Sequence, residues 1–146
     1  MKNSFIITGM NRIFTLLTVS ILLFFSACAT ANLNIPENLS PAELIQRAQE
    51  ASDRNRYNQA LQYYQALHDR NSDNMDLICE AEYEIAFIHY KQKNYSIARE
   101  EFNALLERYN GLDAEDLPIH FKLLSNKVLE KLEEKDKKGI SRKKDQ

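Results

Sequence analysis

Two stretches of this chain repeat each other, and that repeat constrains the fold more than any other feature. Residues 54–67 read RNRYNQALQYYQAL and residues 92–105 read QKNYSIAREEFNAL. Stacked, Tyr57 meets Tyr95, Ala60 meets Ala98, Tyr64 meets Phe102, and Ala66-Leu67 meets Ala104-Leu105, a period of 38 residues. Within each stretch the apolar residues recur at helical spacing. A unit of this size holds two helices and cannot bury its apolar faces alone, so units of this kind stack on one another.

The helix signals around the repeat agree with this. Ser40-Pro41-Ala42-Glu43 combines an N-cap, a proline at the first helical position and a glutamate at the third. A helix over 41–54 follows, with Leu44, Ile45, Ala48 and Ala51 on one face. A second is expected at 57–70, burying Ala60, Leu61, Tyr64 and Leu67. Asn71-Ser72-Asp73-Asn74 reads as a turn with capping residues. A third helix at 75–92 buries Ile78, Ala81, Ile85, Ala86 and either Ile88 or His89. A fourth at 95–109 buries Ala98, Phe102 and Leu105, and Asn110-Gly111 stops it. A fifth starts near Asp116-Leu117-Pro118 and carries Phe121, Leu124, Val128 and Leu132 inward. Three Gly and three Pro in 146 residues leave too few turn residues for an all-β chain.

The pattern resembles tetratricopeptide (TPR) repeats, pairs of antiparallel helices about 34 residues long. Four extra residues fit a longer turn at 71–74. Ala48 and Ala86 take the small position of the first helix, and Ala60 and Ala98 the close-packing position of the second. Helices crossing at short range need a side chain no larger than alanine there, with an aromatic filling the next layer. Ser72 and Asn110 stand where such units usually end in proline. The resemblance implies an all-α, right-handed helical hairpin stack of about five helices. Residues 41–110 would form two repeats, 111–134 a capping helix and 135–146 a flexible basic tail.

The N-terminal region differs in character. Residues 1–27 contain no Asp or Glu, and their basic residues are Lys2 and Arg12. Residues 13–27 form an apolar run that is short for a membrane span, which needs about 20 residues, but suits the core of a secretory signal. Met10-Asn11-Arg12 would also make a normal signal start. Phe25-Ser26-Ala27-Cys28 resembles the lipobox of bacterial lipoproteins, although Phe25 replaces the usual Leu. That resemblance implies a cleaved signal peptide, a diacylglyceryl thioether on Cys28 and a mature chain from Cys28. Residues 28–40 would then be a lipidated tether reaching about 40 Å when extended. Cys79 would remain as a lone thiol, expected to be a small buried residue.

Charge and composition narrow the function. The whole chain has a formal net charge of −2, so it offers no nucleic-acid footprint. Residues 28–130 hold ten basic and seventeen acidic residues, and residues 131–146 hold seven basic and four acidic. An acidic body with a basic end suggests polar partners. His68, His89 and His120 have no metal-ligand spacing, so neither metal nor cofactor is expected. No phosphate loop, GxSxG or Cys/His signature is present, and the chain reads as a non-enzyme.

All seven tyrosines lie beyond residue 56. By repeat position, Arg47, Glu50, Ala51, Tyr83, Phe87, Tyr90 and Lys91 are expected to line a groove for partners. Of the tyrosines, Tyr83 and Tyr90 are the interface candidates, whereas Tyr57, Tyr64 and Tyr95 match core positions of the repeat.

Pro41-Ala42-Glu43-Leu44, Arg47-Ala48-Gln49 and Tyr57-Asn58-Gln59-Ala60-Leu61 open the first repeat. Ala81 to Phe87, Tyr90-Lys91 and Leu105 to Tyr109 make up the second. Together with the lipobox, these segments are similar to the N-terminal repeats of the BamD family of outer-membrane lipoproteins. The resemblance implies a lipid-anchored scaffold on the periplasmic face of the outer membrane. Its implied partners are a BamA-type assembly protein, nascent β-barrel proteins, or both. BamD-type chains usually carry further repeats, so their usual docking through C-terminal repeats is not implied here. A periplasmic TPR adaptor of envelope organisation or of a transport complex is the alternative.

Overall fold

The computed structural model describes residues 32–111 and 114–144, with side chains to residue 138. The expected signal peptide and Cys28 lie outside the described residues. Those described from Leu33 onward form five α-helices and one 3-10 turn, with no strand among them. The helices are α1 (Pro41–Asp53), α2 (Tyr57–Arg70), α3 (Met75–Lys91), α4 (Tyr95–Arg108) and α5 (Ile119–Lys144), and the turn is Ala114–Asp116. No described helix is long and apolar enough to cross a membrane.

The chain is an all-α stack of helical hairpins. Its first helix begins as the sequence indicated: Ser40 Oγ accepts from Glu43 N, and Glu43 reaches back to the Ser40 amide at 2.9 Å. α1 pairs with α2 and α3 with α4, each through a short turn. Both turns contain a residue in the left-handed region, Asn55 at φ 56° and Lys93 at φ 66°. These positions are one repeat apart, so the period is written in the backbone as well as in the side chains. Gly111 does not adopt a positive φ; α4 ends before it, at Arg108.

Burial follows the repeat. Ala48 and Ala86, Ala60 and Ala98, Tyr64 and Phe102, and Leu67 and Leu105 are all buried. One cluster joins Leu44, Ala48, Ala60, Tyr64 and Leu67 to Ala81 and Ile88 of α3. A second joins Cys79, Tyr83 and Ala86 to Ala98, Phe102 and Leu105 of α4 and to Phe121, Val128 and Leu132 of α5. Between Ile88 and His89, Ile88 is the core residue. His89 instead meets Glu101 at 2.7 Å. Cys79 is fully buried and free.

Three expectations need correction. Leu124 was expected inward on α5 but is 40% exposed, and Ser125 is buried in its place. The inward stripe of α5 runs Phe121, Ser125, Val128, Leu132, at steps of four, three and four, which follows the 3.6-residue pitch more closely. The helix also continues past 134 to Lys144 instead of giving way to a flexible tail. Glu and Lys are strong helix formers, and two contacts fix the first turn beyond 134: Lys135 to Tyr95 and Asp136 to Arg99, the latter at 2.6 Å. Finally, the segment before α1 is not a free tether over its described part. Leu33 N donates to Gln62 Oε1, Arg70 donates to the carbonyls of Ile35 and Pro36, and Ile35 and Leu39 pack on the first cluster.

Candidate functional site

Four aromatic rings form a continuous ladder on α3 and the start of α4. Tyr83, Phe87 and Tyr90 lie at i, i+4 and i+7, on one face of α3. Tyr83 stacks on Phe87 at 5.8 Å between ring centres and Phe87 on Tyr90 at 5.8 Å, with interplanar angles of 12° and 15°. Tyr90 then meets Tyr95 at 5.8 Å and 48°. The inner end of the ladder is anchored in the core, where Tyr83 also touches Phe102 and Phe121 at 5.7 and 5.5 Å.

A lysine stands at each side of this ladder. Lys91 Nζ lies 5.3 Å from the Phe87 ring centre and 5.7 Å from that of Tyr57, and it donates to Ser52 Oγ. Lys135 Nζ lies 4.4 Å from the Tyr95 ring centre and 5.3 Å from that of Tyr90, and it donates to the Tyr95 hydroxyl at 2.9 Å. Both contacts are cation–π in character. Burial pushes the Tyr83 phenol above its ordinary pKa, with nearby Glu84 adding to the effect. The ladder offers apolar ring surface flanked by two lysines.

The structure brings together Tyr83, Phe87, Tyr90 and Lys91 of the expected groove. Tyr83 is only 7% exposed, so it supports the ladder from below and offers no face to a partner. Phe87, Tyr90 and Lys91 remain half-buried. Arg47 and Glu50 are not part of this arrangement. They line a separate depression of about 400 Å³ with Gln46, Arg54, Arg56 and Gln59. The repeat explains why: Arg47 and Glu50 correspond to Ile85 and Ile88, which pack back onto the preceding hairpin, and α1 has no preceding hairpin among the described residues. Ala51 is buried.

Sequence reasoning missed Tyr57, Tyr95 and Lys135 as parts of the site. The two tyrosines share a repeat position and so read as core, and Lys135 fell in the expected tail.

A second concave surface lies between α2 and α4, over Ile85. Two adjoining depressions of about 260 and 320 Å³ share Gln65, Ile85 and Glu101. His89 pairs with Glu101 at its floor, and His68 reaches Glu82 at 3.5 Å. Among the described residues, no group of three His, Cys, Asp or Glu side chains could hold a metal ion.

No family model matches the chain, and no solved structure matches it. An uncharacterized protein of Treponema pallidum (strain Nichols) is 35% identical over 103 residues, which is 68% of this chain and 41% of that protein. The chain thus spans about two fifths of the length of this curated relative.

Proposed function

We propose that this chain is a lipid-anchored TPR scaffold that binds protein partners during the assembly of β-barrel proteins in the outer membrane. The observation that carries the scaffold reading is the duplicated hairpin, with Ala48/Ala86 and Ala60/Ala98 buried at equivalent crossings. A stack of this kind presents extended concave surfaces suited to binding. The half-buried Phe87 and Tyr90, with Lys91 beside them, supply the aromatic and cationic contacts on which interfaces concentrate.

Cys28 is the proposed lipid attachment, with the periplasmic face of the outer membrane as the location. Several acyl chains at about 0.8 kcal/mol per buried CH₂ suffice for stable anchoring. The segment from Leu33 to Leu39 then leads from the lipid to α1. The proposed partners are a BamA-type assembly protein and nascent barrel proteins.

Purification of the tagged full-length chain from detergent-solubilised membranes tests the reading. Recovery of the BamA-type protein supports it. A stable complex with a different envelope protein, lacking BamA, overturns the barrel-assembly role in favour of an envelope adaptor. Metabolic labelling with a fatty acid, lost in Cys28→Ala, tests the anchor.

A further inference from the structure

The segment ahead of α1 is fastened to the outside of α2. Leu33 N donates to Gln62 Oε1 at 2.6 Å, and Arg70 donates to the carbonyls of Ile35 at 3.2 Å and Pro36 at 2.9 Å. Ile35 and Leu39 pack on the first cluster, and the Leu39 amide closes a turn onto the Pro36 carbonyl just before the cap at Ser40. Arg70 is only 24% exposed, so its charge-assisted bonds to the two carbonyls are partly shielded from water.

This fastening shortens the chain between the fold and the proposed lipid site. Unfastened, twelve peptide steps run from Cys28 to Ser40, a reach of about 40 Å. With Leu33 held on α2, five steps remain, at most about 18 Å. One helix with its side chains is about 10–12 Å across, so the α1–α2 hairpin is about 20 Å thick. Five residues therefore cannot pass round the hairpin to its other side, whereas twelve can.

The position of Gln62 decides which side stays close to the lipid. Gln62 lies on the face of α2 opposite to the buried Ala60, Tyr64 and Leu67. It belongs to a stripe of Asn58, Gln62, Gln65 and Asp69 at helical spacing. Asn58, Gln65 and Asp69 are exposed, and Gln65 donates to Asp69 at 2.8 Å. The stripe has no large apolar residue to insert and no cation to draw anionic lipid, so it suits contact with hydrated headgroups rather than burial in the bilayer. Tyr57, whose ring lies under Lys91 of the ladder, sits about 140° round the helix from Gln62. We propose that the docked segment is a clasp that orients the anchored stack: it holds the Asn58–Asp69 stripe of α2 against phospholipid headgroups, with the aromatic ladder turned away from them. The clasp rests on the Cys28 anchor of the proposed function and is independent of the protein partner.

Energy transfer to the bilayer tests it. The full-length acylated chain, purified from membranes, is added to phosphatidylethanolamine–phosphatidylglycerol vesicles that carry a headgroup-linked acceptor. A donor dye is attached at Asn58→Cys or, on the other helix of the hairpin, at the exposed Gln49→Cys; Cys79 is fully buried and escapes the dye. Transfer is expected to be stronger from position 58 than from position 49. Gln62→Ala combined with Arg70→Ala should abolish the difference. So should six Gly/Ser residues inserted between Ala31 and Asn32, which leave the clasp and the fold untouched but extend the reach to about 40 Å. Equal transfer from the two positions in the parent chain, or a difference that survives either change, overturns the clasp. Failure of the parent chain to float with the vesicles overturns the anchor and the clasp together, whereas flotation with equal transfer overturns the clasp alone.

Discussion

Arg108 holds Glu82 with two hydrogen bonds, Nε to Oε2 at 2.7 Å and Nη2 to Oε1 at 2.6 Å, across the α3–α4 hairpin. The hydrogen bond to Glu82 is the main cause that raises the guanidinium's pKa above its ordinary value. The side chains are 36% and 23% exposed, which places the pair between a screened surface contact and a buried one. Hydrogen bonds to charged groups are worth about 1.5–3 kcal/mol, and partial exposure lowers this, so Arg108→Ala should cost about 1–2 kcal/mol. A lower urea midpoint at unchanged slope checks this. An unchanged midpoint would mean that the fork contributes nothing measurable.

The two hairpin turns use the same left-handed position with different residues. Asn55 tolerates it because its short polar side chain bonds locally, and its Oδ1 accepts from the Tyr57 hydroxyl at 2.7 Å. Lys93, at φ 66°, has no such compensation. Lys93→Asn should therefore stabilise the chain by about 0.5–1 kcal/mol, and Asn55→Lys should lose a similar amount. Thermal unfolding of the two variants side by side gives opposite shifts in Tm if the turns are equivalent.

Ser125 is fully buried, and its hydroxyl has no hydrogen-bond partner among the described residues. An unsatisfied buried hydroxyl costs about 1–3 kcal/mol. Ser125→Ala keeps the small volume and should raise stability by about 1 kcal/mol. Ser125→Leu should instead lower it by about 1–3 kcal/mol through overpacking. Denaturant midpoints that fall for both variants would show that the hydroxyl is satisfied in solution.

The core of the first four helices was readable because one signal repeats twice. Alanine at the crossings and an aromatic four residues on point to the same contacts in each hairpin. The fifth helix has no such duplicate. Its apolar residues do not share one face: Phe121, Val128 and Leu132 lie together, Ile119 and Leu123 on the opposite side, and Leu124 on the flank. Hydropathy alone does not say which face meets α4. Ser125 looks polar in sequence and is core in the fold. The aromatic ladder was half readable. Tyr83, Phe87 and Tyr90 share one face of a helix, but Lys135 reaches Tyr95 across 40 residues of chain, a contact fixed by the packing of α5. Arg47 and Glu50 were placed in the groove by repeat position, but their equivalents one period on, Ile85 and Ile88, pack onto the preceding hairpin.

Glu84 is half-buried on α3, and burial raises its pKa; Lys91 opposes the shift and Glu80 adds to it. Tyr64, whose buried hydroxyl has no partner among the described residues, has its own pKa raised chiefly by burial and then by Glu84. Because the folded-state pKa of Glu84 lies above the unfolded value, its contribution to stability is fully present below the unfolded pKa. That contribution is lost as pH rises through the folded pKa. Above its folded-state pKa the fold therefore holds a carboxylate whose burial costs stability. Glu84→Gln mimics the protonated form and should be more stable than the parent chain at pH 7. The difference should shrink towards zero as pH falls below about 4, where the unfolded chain's glutamates are protonated too. Urea midpoints of both proteins across that range check the sign. A gain that stays constant with pH would assign the effect to packing rather than to charge. A loss at pH 7 would mean that attraction to Lys91 outweighs the cost of burial.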